Sequence, residues 1–392
     1  MSDAVVILGG KRTAIGKFGG SLADVAPSAL GVHATKAALE STGVDPEQVD
    51  HSVYGNVLHS EARDVYISRV IALESGLPTH APALTVNRLC GSGLQAIISA
   101  IQLIQLGDAR IAIGGGAESM SRAGHILPSL RFGAKMGDAT ATDMMLAALH
   151  DPFGNGHMGI TAENIASRFD VSREDQDAFA MQSQERAAAA IANGHFVDQI
   201  AGIDVGRGRH ARHFDQDEHP RATTLDDLGG LRAAFKSDGS VTAGNASGIN
   251  DGAAAVILAS ESAASTQGLR PMARIVSYGF AAVPPEIMGV GPVPASKMAL
   301  DRAGLKAADL DVVESNEAFA AQALYVSREL GLDPAKVNPN GGAIALGHPV
   351  GATGAIITLK CLHELHRVGG RYGLVTMCIG GGQGIALIIE AM

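Results

Sequence analysis

Three side chains in this sequence are of types that could do covalent and proton-transfer chemistry together: Cys90, His348 and Cys378. Cys90 lies in Val86-Asn-Arg-Leu-Cys-Gly-Ser-Gly-Leu94, where an apolar strand pattern gives way to a helical one. A sulfur at a helix N-terminus meets free N–H groups and a partial positive charge, which lower a thiol's pKa. Gly91 and Gly93 permit a tight turn and close approach of a substrate. The competing reading is a buried structural cysteine, the usual fate of this residue type. His348 lies in Gly341-Gly-Ala-Ile-Ala-Leu-Gly-His-Pro-Val-Gly-Ala-Thr-Gly354. So glycine-rich a segment gives up stability, which points to backbone needed near a ligand. A histidine able to take the proton of Cys90 would complete a Cys–His nucleophile.

Cys378 lies in Met377-Cys-Ile-Gly-Gly-Gly-Gln-Gly384. These glycines suggest a dinucleotide-binding loop, but such a loop must open a helix whose N-terminus meets pyrophosphate. Here it opens Ile385–Ile389, which reads as a strand, so the nicotinamide reading is rejected. The glycines then make a tight hairpin that exposes backbone N–H groups and the thiol. Asn316-Glu-Ala-Phe-Ala-Ala321 follows the apolar run Leu310–Val313 and fits an active-site edge, or an ordinary N-cap. No metal site is expected. His210, His213 and His219 with Asp215 and Asp217 match no zinc spacing and read as a solvated loop. His363 and His366 are three apart, whereas a zincin helix needs four.

The elements that must position these residues alternate. Ala4–Leu8 reads as a strand closed by Gly9-Gly10, Ala29–Glu40 as a helix, and His51–Leu58 as a strand. Ile111–Ile113 reads as another strand, closed by Gly114-Gly115-Gly116. Strands alternating with helices argue an α/β fold with a largely buried sheet. From about Glu118 to Val241 the sequence turns polar, with a helix near Arg173–Asn193 and a charged loop over Arg207–Arg221, and reads as an insertion. Alternation then resumes. A weak repeat joins the two ends. Cys90-Gly-Ser-Gly93 opens a helix followed by Ile111–Ile113 and three glycines. Gly347–Gly354 opens a helix followed by Gly373–Met377 and three more. Two similar halves with a site between them would put Cys90 and His348 at matching helix N-termini.

At 392 residues the chain is too long for one hydrophobic core, so two or three domains are expected. A net charge of −10 argues against nucleic acid as the main partner. No run of 18 apolar residues suggests a membrane span, and the N-terminus lacks the features of a secretory signal. Three cysteines are an odd number for a disulfide framework, so reduced thiols in a cytoplasm are expected.

Three stretches taken together resemble the thiolase signatures, in that family's order: Asn87-Arg-Leu-Cys-Gly-Ser-Gly93, Asn316-Glu-Ala-Phe-Ala320, and Gly347-His-Pro349 with Cys378-Ile-Gly-Gly-Gly-Gln-Gly384. Arg12-Thr-Ala-Ile-Gly16, His157-Met-Gly159 and Gly244-Asn-Ala-Ser-Gly248 extend the resemblance over the whole chain. It implies the thiolase fold: two similar βαβαβαββ halves in a five-layered αβαβα arrangement with an inserted loop domain. The division would be residues 1–118 with 242–268, the insertion 119–241, and 269–392. It also implies a homotetramer, a dimer of dimers, acting on acyl-CoA and CoA, with coenzyme A as substrate or product and no other cofactor.

Carried over from the family, Cys90 carries the acyl group, His348 deprotonates it, and Cys378 serves as the acid or base at the α-carbon. A water held by Asn316 joins His348 on the enolate oxygen, and the N–H groups of Cys90 and Gly380 hold the tetrahedral oxyanion. The resemblance puts His157, Met158, Arg221, Phe235, Ala243, Ser247, Ala318 and Phe319 around CoA, although Met158 and Phe235 also read as plain core. His157-Met-Gly159 resembles the biosynthetic, acetoacetyl-CoA type. His59-Ser-Glu-Ala-Arg-Asp-Val-Tyr66 departs from many acetyl-CoA acetyltransferases and looks more like bacterial β-ketothiolases that supply polyhydroxyalkanoate synthesis. The alternatives are a degradative thiolase of broader chain length and a thiolase-like acyl or lipid carrier. A ketoacyl synthase of the same superfamily is disfavoured by Cys378.

Overall fold

The computed structural model describes residues 3–206, 208 and 211–392. Its strands are β1 (Val5–Arg12), β2 (His51–Gly55), β3 (Ala83–Val86), β4 (Ile111–Ser119), β5 (Asn250–Ser260), β6 (Ala273–Ala282), β7 (Val312–Ser315), β8 (Tyr372–Ile379) and β9 (Gln383–Ala391). The main helices are α1 (Pro27–Thr42), α2 (Ile67–Glu74), α3 (Ser92–Leu106), α4 (Met158–Arg168), α5 (Arg173–Ala192), α6 (Pro292–Ala303), α7 (Ala320–Leu330) and α8 (Thr353–Val368). Glycines in the left-handed conformation end α1, α3, α6, α7 and α8, at Gly43, Gly107, Gly304, Gly331 and Gly369.

The nine strands lie in one sheet of order β7-β8-β9-β6-β1-β5-β4-β2-β3. In one half β2 runs parallel to β4, and β4, β5 and β1 follow antiparallel. In the other half β7 runs parallel to β8, and β8, β9 and β6 follow antiparallel. The two patterns are the same. They meet edge to edge where Val6 and Ile7 of β1 pair with Arg274 and Ala273 of β6. Even β3 has a counterpart, a parallel bridge from Val313 to Val337.

Side-chain alternation sorts the core into layers. Val5 and Ile7 face a central core with Leu94, Ile97, Ile356 and Leu359 of α3 and α8, while Val6 and Leu8 face α1 on the outside. In the second half Val375 and Met377 face inward, and Leu374 packs outward with Val293 of α6 and Val326 of α7. The result is helix, one half of the sheet, paired helices, the other half of the sheet, helix. Each fully buried Leu or Ile contributes roughly 1.5–3 kcal/mol. Cys361, given no role by the sequence, is buried in this central core.

Four expectations change. The strand expected over Ala4–Leu8 runs on through Gly9 and Gly10 to Arg12, and the one over Ile111–Ile113 runs on through its glycines to Ser119. Gly114 and Gly116 do not close a strand. They let the Ile97 backbone and the Gly351 carbonyl come up against it, where any Cβ would collide. The stretch over Arg207–Arg221 is not all solvated loop: Asp217 is buried and takes two hydrogen bonds from buried Arg12, at 2.7 and 2.9 Å. His213 is exposed and pairs with Asp204, whereas His210 lies outside the described residues. Finally, Leu89–Leu106 does have the mean hydropathy (1.5) and length of a membrane span. In the fold it is the core helix α3, with Leu94, Ile97, Ile98 and Ile101 fully buried.

Candidate active site

Cys90 follows β3 and precedes α3, so strand and helix fix it from both sides. The turn closes with Gly91 N–H donating to the Arg88 carbonyl and Ser92 N–H to that of Leu89. Leu89 takes a left-handed conformation, φ 46°, strained for a residue with a branched side chain. The Ser92 hydroxyl donates to the Leu89 carbonyl at 2.6 Å and accepts from Arg88 N–H at 2.9 Å, locking the turn. Burial pushes the Cys90 thiol up to about 11, against the pull of the Gly380 N–H and its own. This corrects the expectation of a lowered pKa. Loss of solvent around the sulfur outweighs the helix terminus in the free enzyme.

His348 does not match Cys90 in place: it lies five residues before α8, where Cys90 lies two before α3, and Gly351 is the counterpart of Cys90. Its N–H donates to Asn250 Oδ1 at 2.9 Å. Gly347 adopts φ 103° with Asn250 packed against it, which only glycine permits there. The imidazole Nδ1 lies 2.6 Å from Thr353 Oγ1, and Nε2 is buried with no protein partner. Burial lowers the pKa of the ring to about 4, so it is neutral at pH 7.

Glu118, at the end of β4, ties these segments together. Its buried carboxyl accepts from the N–H groups of Val57, Leu58 and Gly351 and from the Asn56 side chain. Burial pushes that carboxyl up to about 8 despite the three backbone donors.

Cys378 is the last residue but one of β8, and Gly380-Gly381-Gly382 turn the chain into β9. The hairpin is as expected, but the thiol is not exposed. It is fully buried against Met158, Met288, Ala318 and Phe319, and burial together with the nearby Cys90 raises its pKa. Gly380 is the neighbour whose N–H is directed at Cys90. A Cβ on it would come 3.0 Å from Met158 Cε and crowd that approach. Asn316 is buried at the end of β7 with both carboxamide atoms unpartnered by protein.

A cavity of about 750 Å³ opens beside these groups, with Cys90 and His348 on its wall. His157, Met158, Arg221, Phe235, Ala243, Ser247, Ala318 and Phe319 all line it; Cys378, Asn316 and Gly380 do not and stand behind it. His157 stacks on Phe235 at 4.6 Å between ring centres, and Phe235 meets Phe319 edge-on at 6.2 Å. Met158 and Phe235 therefore belong to both the wall and a small apolar core. Arg221 donates to the Ala243 carbonyl at 3.1 Å and keeps an exposed guanidinium.

Several residues of the site escaped the sequence reading. His219, assigned to the solvated loop, lines the cavity, where burial and then Arg221 lower its pKa to about 4. Met288, Glu118 and Asn250 carried no motif that would have marked them. Leu89 and Thr353 were inside quoted motifs, but nothing in their types signals a left-handed backbone or a hydrogen bond to imidazole. Among the described residues no cluster of three or more His, Cys, Asp or Glu side chains is placed to hold a metal ion.

Comparison with known proteins bears directly on this geometry. Residues 5–262 match the family model of the thiolase N-terminal domain, and residues 269–391 that of the thiolase C-terminal domain. The chain is 60% identical to beta-ketothiolase BktB of Cupriavidus necator, over 100% of each chain. It is 49% identical to the acetyl-CoA acetyltransferase of Allochromatium vinosum, again over 100% of each. A crystal structure of human mitochondrial 3-ketoacyl-CoA thiolase in complex with CoA superposes with a TM-score of 0.97 at 47% identity, covering 100% of this chain and 98% of that one. With both family models spanning the two halves and the paired-helix core between them, the chain belongs to the thiolase family and has the thiolase fold.

Proposed function

We propose that this thiolase is an acyltransferase of the biosynthetic kind. It joins acetyl-CoA to a second acetyl-CoA or a short acyl-CoA, giving a 3-ketoacyl-CoA and free CoA. The observation that carries this reading is that Cys90 and His348, from the segments that lead into the matching helices of the two halves, line one cavity with a second thiol packed behind it. The names of the bacterial relatives, β-ketothiolase and acetyl-CoA acetyltransferase, support the biosynthetic direction.

The proton accounting runs through three side chains. At rest the proton stays on Cys90, because the thiol is held up and the imidazole down. Sulfur attack on the acyl-CoA carbonyl and proton transfer to His348 Nε2 therefore occur together. The tetrahedral oxyanion is held by the N–H groups of Cys90 and Gly380. Losing one such donor typically costs ~10²–10³ in rate. CoA leaves with the Cys378 proton, and the Cys378 thiolate then takes the α-proton of acetyl-CoA. The enolate oxygen rests on the His348 imidazolium and a water held by Asn316. Its carbon attacks the acyl group, and Cys90 departs with the His348 proton. No other cofactor enters.

For CoA, Arg221 suits the anionic nucleotide end, Ser247 a pantetheine amide, and the His157–Phe235–Phe319 group an apolar flank. We assign residues 1–118 with 242–268 to the first half, 119–241 to an inserted domain, and 269–392 to the second half. Exposed Leu130, Phe132 and Met136 on the insertion support association into a homotetramer. The enzyme would work in the cytoplasm.

The test is Cys90→Ala assayed with acetoacetyl-CoA and free CoA. Thiolysis should fall about 10⁴-fold or more. Appreciable residual turnover would end this mechanism. Comparing rates on acetoacetyl-CoA and 3-ketohexanoyl-CoA then sets the acyl-chain range.

A further inference from the structure

We propose that Thr353 is a positioning residue that fixes the tautomer of His348, keeping the proton on Nδ1 and leaving Nε2 bare. The inference rests on the reading of His348 as the base for Cys90 and names what makes it one.

The buried Thr353 side chain has one hydroxyl proton and two neighbours, His348 Nδ1 at 2.6 Å and the Pro349 carbonyl at 2.9 Å. A carbonyl can only accept, so that contact is a hydrogen bond only when the hydroxyl donates to it. Oγ1 then meets Nδ1 with a lone pair, and Nδ1 must carry hydrogen. Both contacts are satisfied in that state. In the other tautomer the hydroxyl must turn to donate to Nδ1. The bond to Pro349 is then lost, and a buried Nε2–H has no acceptor in the protein. Buried orphan N–H groups are the rarer kind. One tautomer thus makes one more hydrogen bond, and it is the one whose free lone pair is on Nε2.

The first half shows the same device used otherwise. Ser92, the first residue of α3, donates to a carbonyl in its own turn and accepts from a backbone N–H. Thr353, the first residue of α8, also donates to a carbonyl in its own turn but accepts from the imidazole. The imidazole of His348 is thus anchored where the first half anchors only backbone. Such a partner on the far nitrogen is the usual way a histidine's reactive nitrogen is chosen.

The experiment uses the full-length enzyme as wild type, Thr353→Val, Thr353→Ser and His348→Asn. In protein labelled with ¹⁵N-histidine, the His348 signals are assigned as those missing from His348→Asn. Wild type and Thr353→Ser should show Nδ1 protonated and Nε2 bare, and Thr353→Val a mixture. Thiolysis of acetoacetyl-CoA should lose about tenfold in kcat in Thr353→Val with KM within about twofold, as expected for an interaction acting on a proton-transfer step. Thr353→Ser should recover that loss. A wild-type His348 protonated on Nε2, or a Thr353→Val enzyme with unchanged kcat and unchanged nitrogen signals, overturns the proposal. Near-normal turnover in His348→Asn overturns the reading of His348 itself. Should Thr353→Val fail to fold, the wild-type nitrogen signals alone decide.

Discussion

The two helix N-termini that meet at the site occupy equivalent places in equivalent halves, yet they are put to different ends. At α3 the serine hydroxyl, the strained Leu89 and the turn hydrogen bonds all serve to hold a backbone still, so that Cys90 sits where it does. At α8 the backbone is held also from outside, by Asn250 and by Glu118 through Gly351, and the threonine hydroxyl, while donating to a carbonyl of its own turn, also meets a side chain. A duplicated framework supplies two matching helix starts. The proposed nucleophile sits two residues before one and the proposed base five residues before the other.

The sharpest challenge to this division of labour is Cys378→Ala. Condensation should fall about 10²–10⁴-fold for want of the α-proton acceptor. Acyl transfer to Cys90, followed by mass after mixing with acetyl-CoA, should fall much less, because CoA can depart as a thiolate when the Cys378 proton is missing. Equal loss of both would mean that the second half contributes more than proton transfer. The pH dependence of iodoacetamide labelling at Cys90 probes the first half alone. A thiol held up near 11 is protonated at neutral pH, so labelling should rise by up to about tenfold per pH unit between 7 and 9, less steeply near 8 where Glu118 ionises. His348, held down near 4, is already neutral above pH 5 and should add no inflection between 5 and 7. A plateau near pH 8 would show that the helix terminus prevails over burial after all.

Two smaller effects test the bracing. A Cβ at residue 351 would come 2.6 Å from Glu118 Oε2 and 3.1 Å from Asn56 Cα. Gly351→Ala should therefore cost about 1–3 kcal/mol in urea unfolding. No measurable loss would mean that the Glu118 junction is slack. Ser92→Ala removes a hydroxyl with two backbone partners and should cost about 0.5–1.5 kcal/mol. Its nitrogen signals at His348 should not change, in contrast to Thr353→Val; a change there would blur the distinction between the two termini.

The repeat, the helix starts and the candidate residues were legible because each depends on local sequence: glycine at a turn, apolar periodicity, a cysteine or histidine between them. What was not legible depends on the far side of a contact. Gly114-Gly115-Gly116 looks like the end of a strand until Gly351 packs on it from the other half. Cys378 looks exposed until Met158 and Phe319 cover it. His219 and Asp217 look like polar loop until one faces the cavity and the other meets Arg12. The raised Cys90 pKa has the same origin: the helix terminus is written in the sequence, and the burial that pushes the thiol up is not.

Gly93 and Gly354 lie in the first turns of α3 and α8, and a Cβ on either would collide with the backbone of the other helix. The two helices therefore touch at their N-terminal ends. Each such end carries roughly half a positive charge, so two of them converge on one small volume beside Cys90 and His348. A thiolate, a tetrahedral alkoxide and an enolate share little in shape, but all are anions. In the proposed mechanism a fixed field from the main chain would favour each of them in turn.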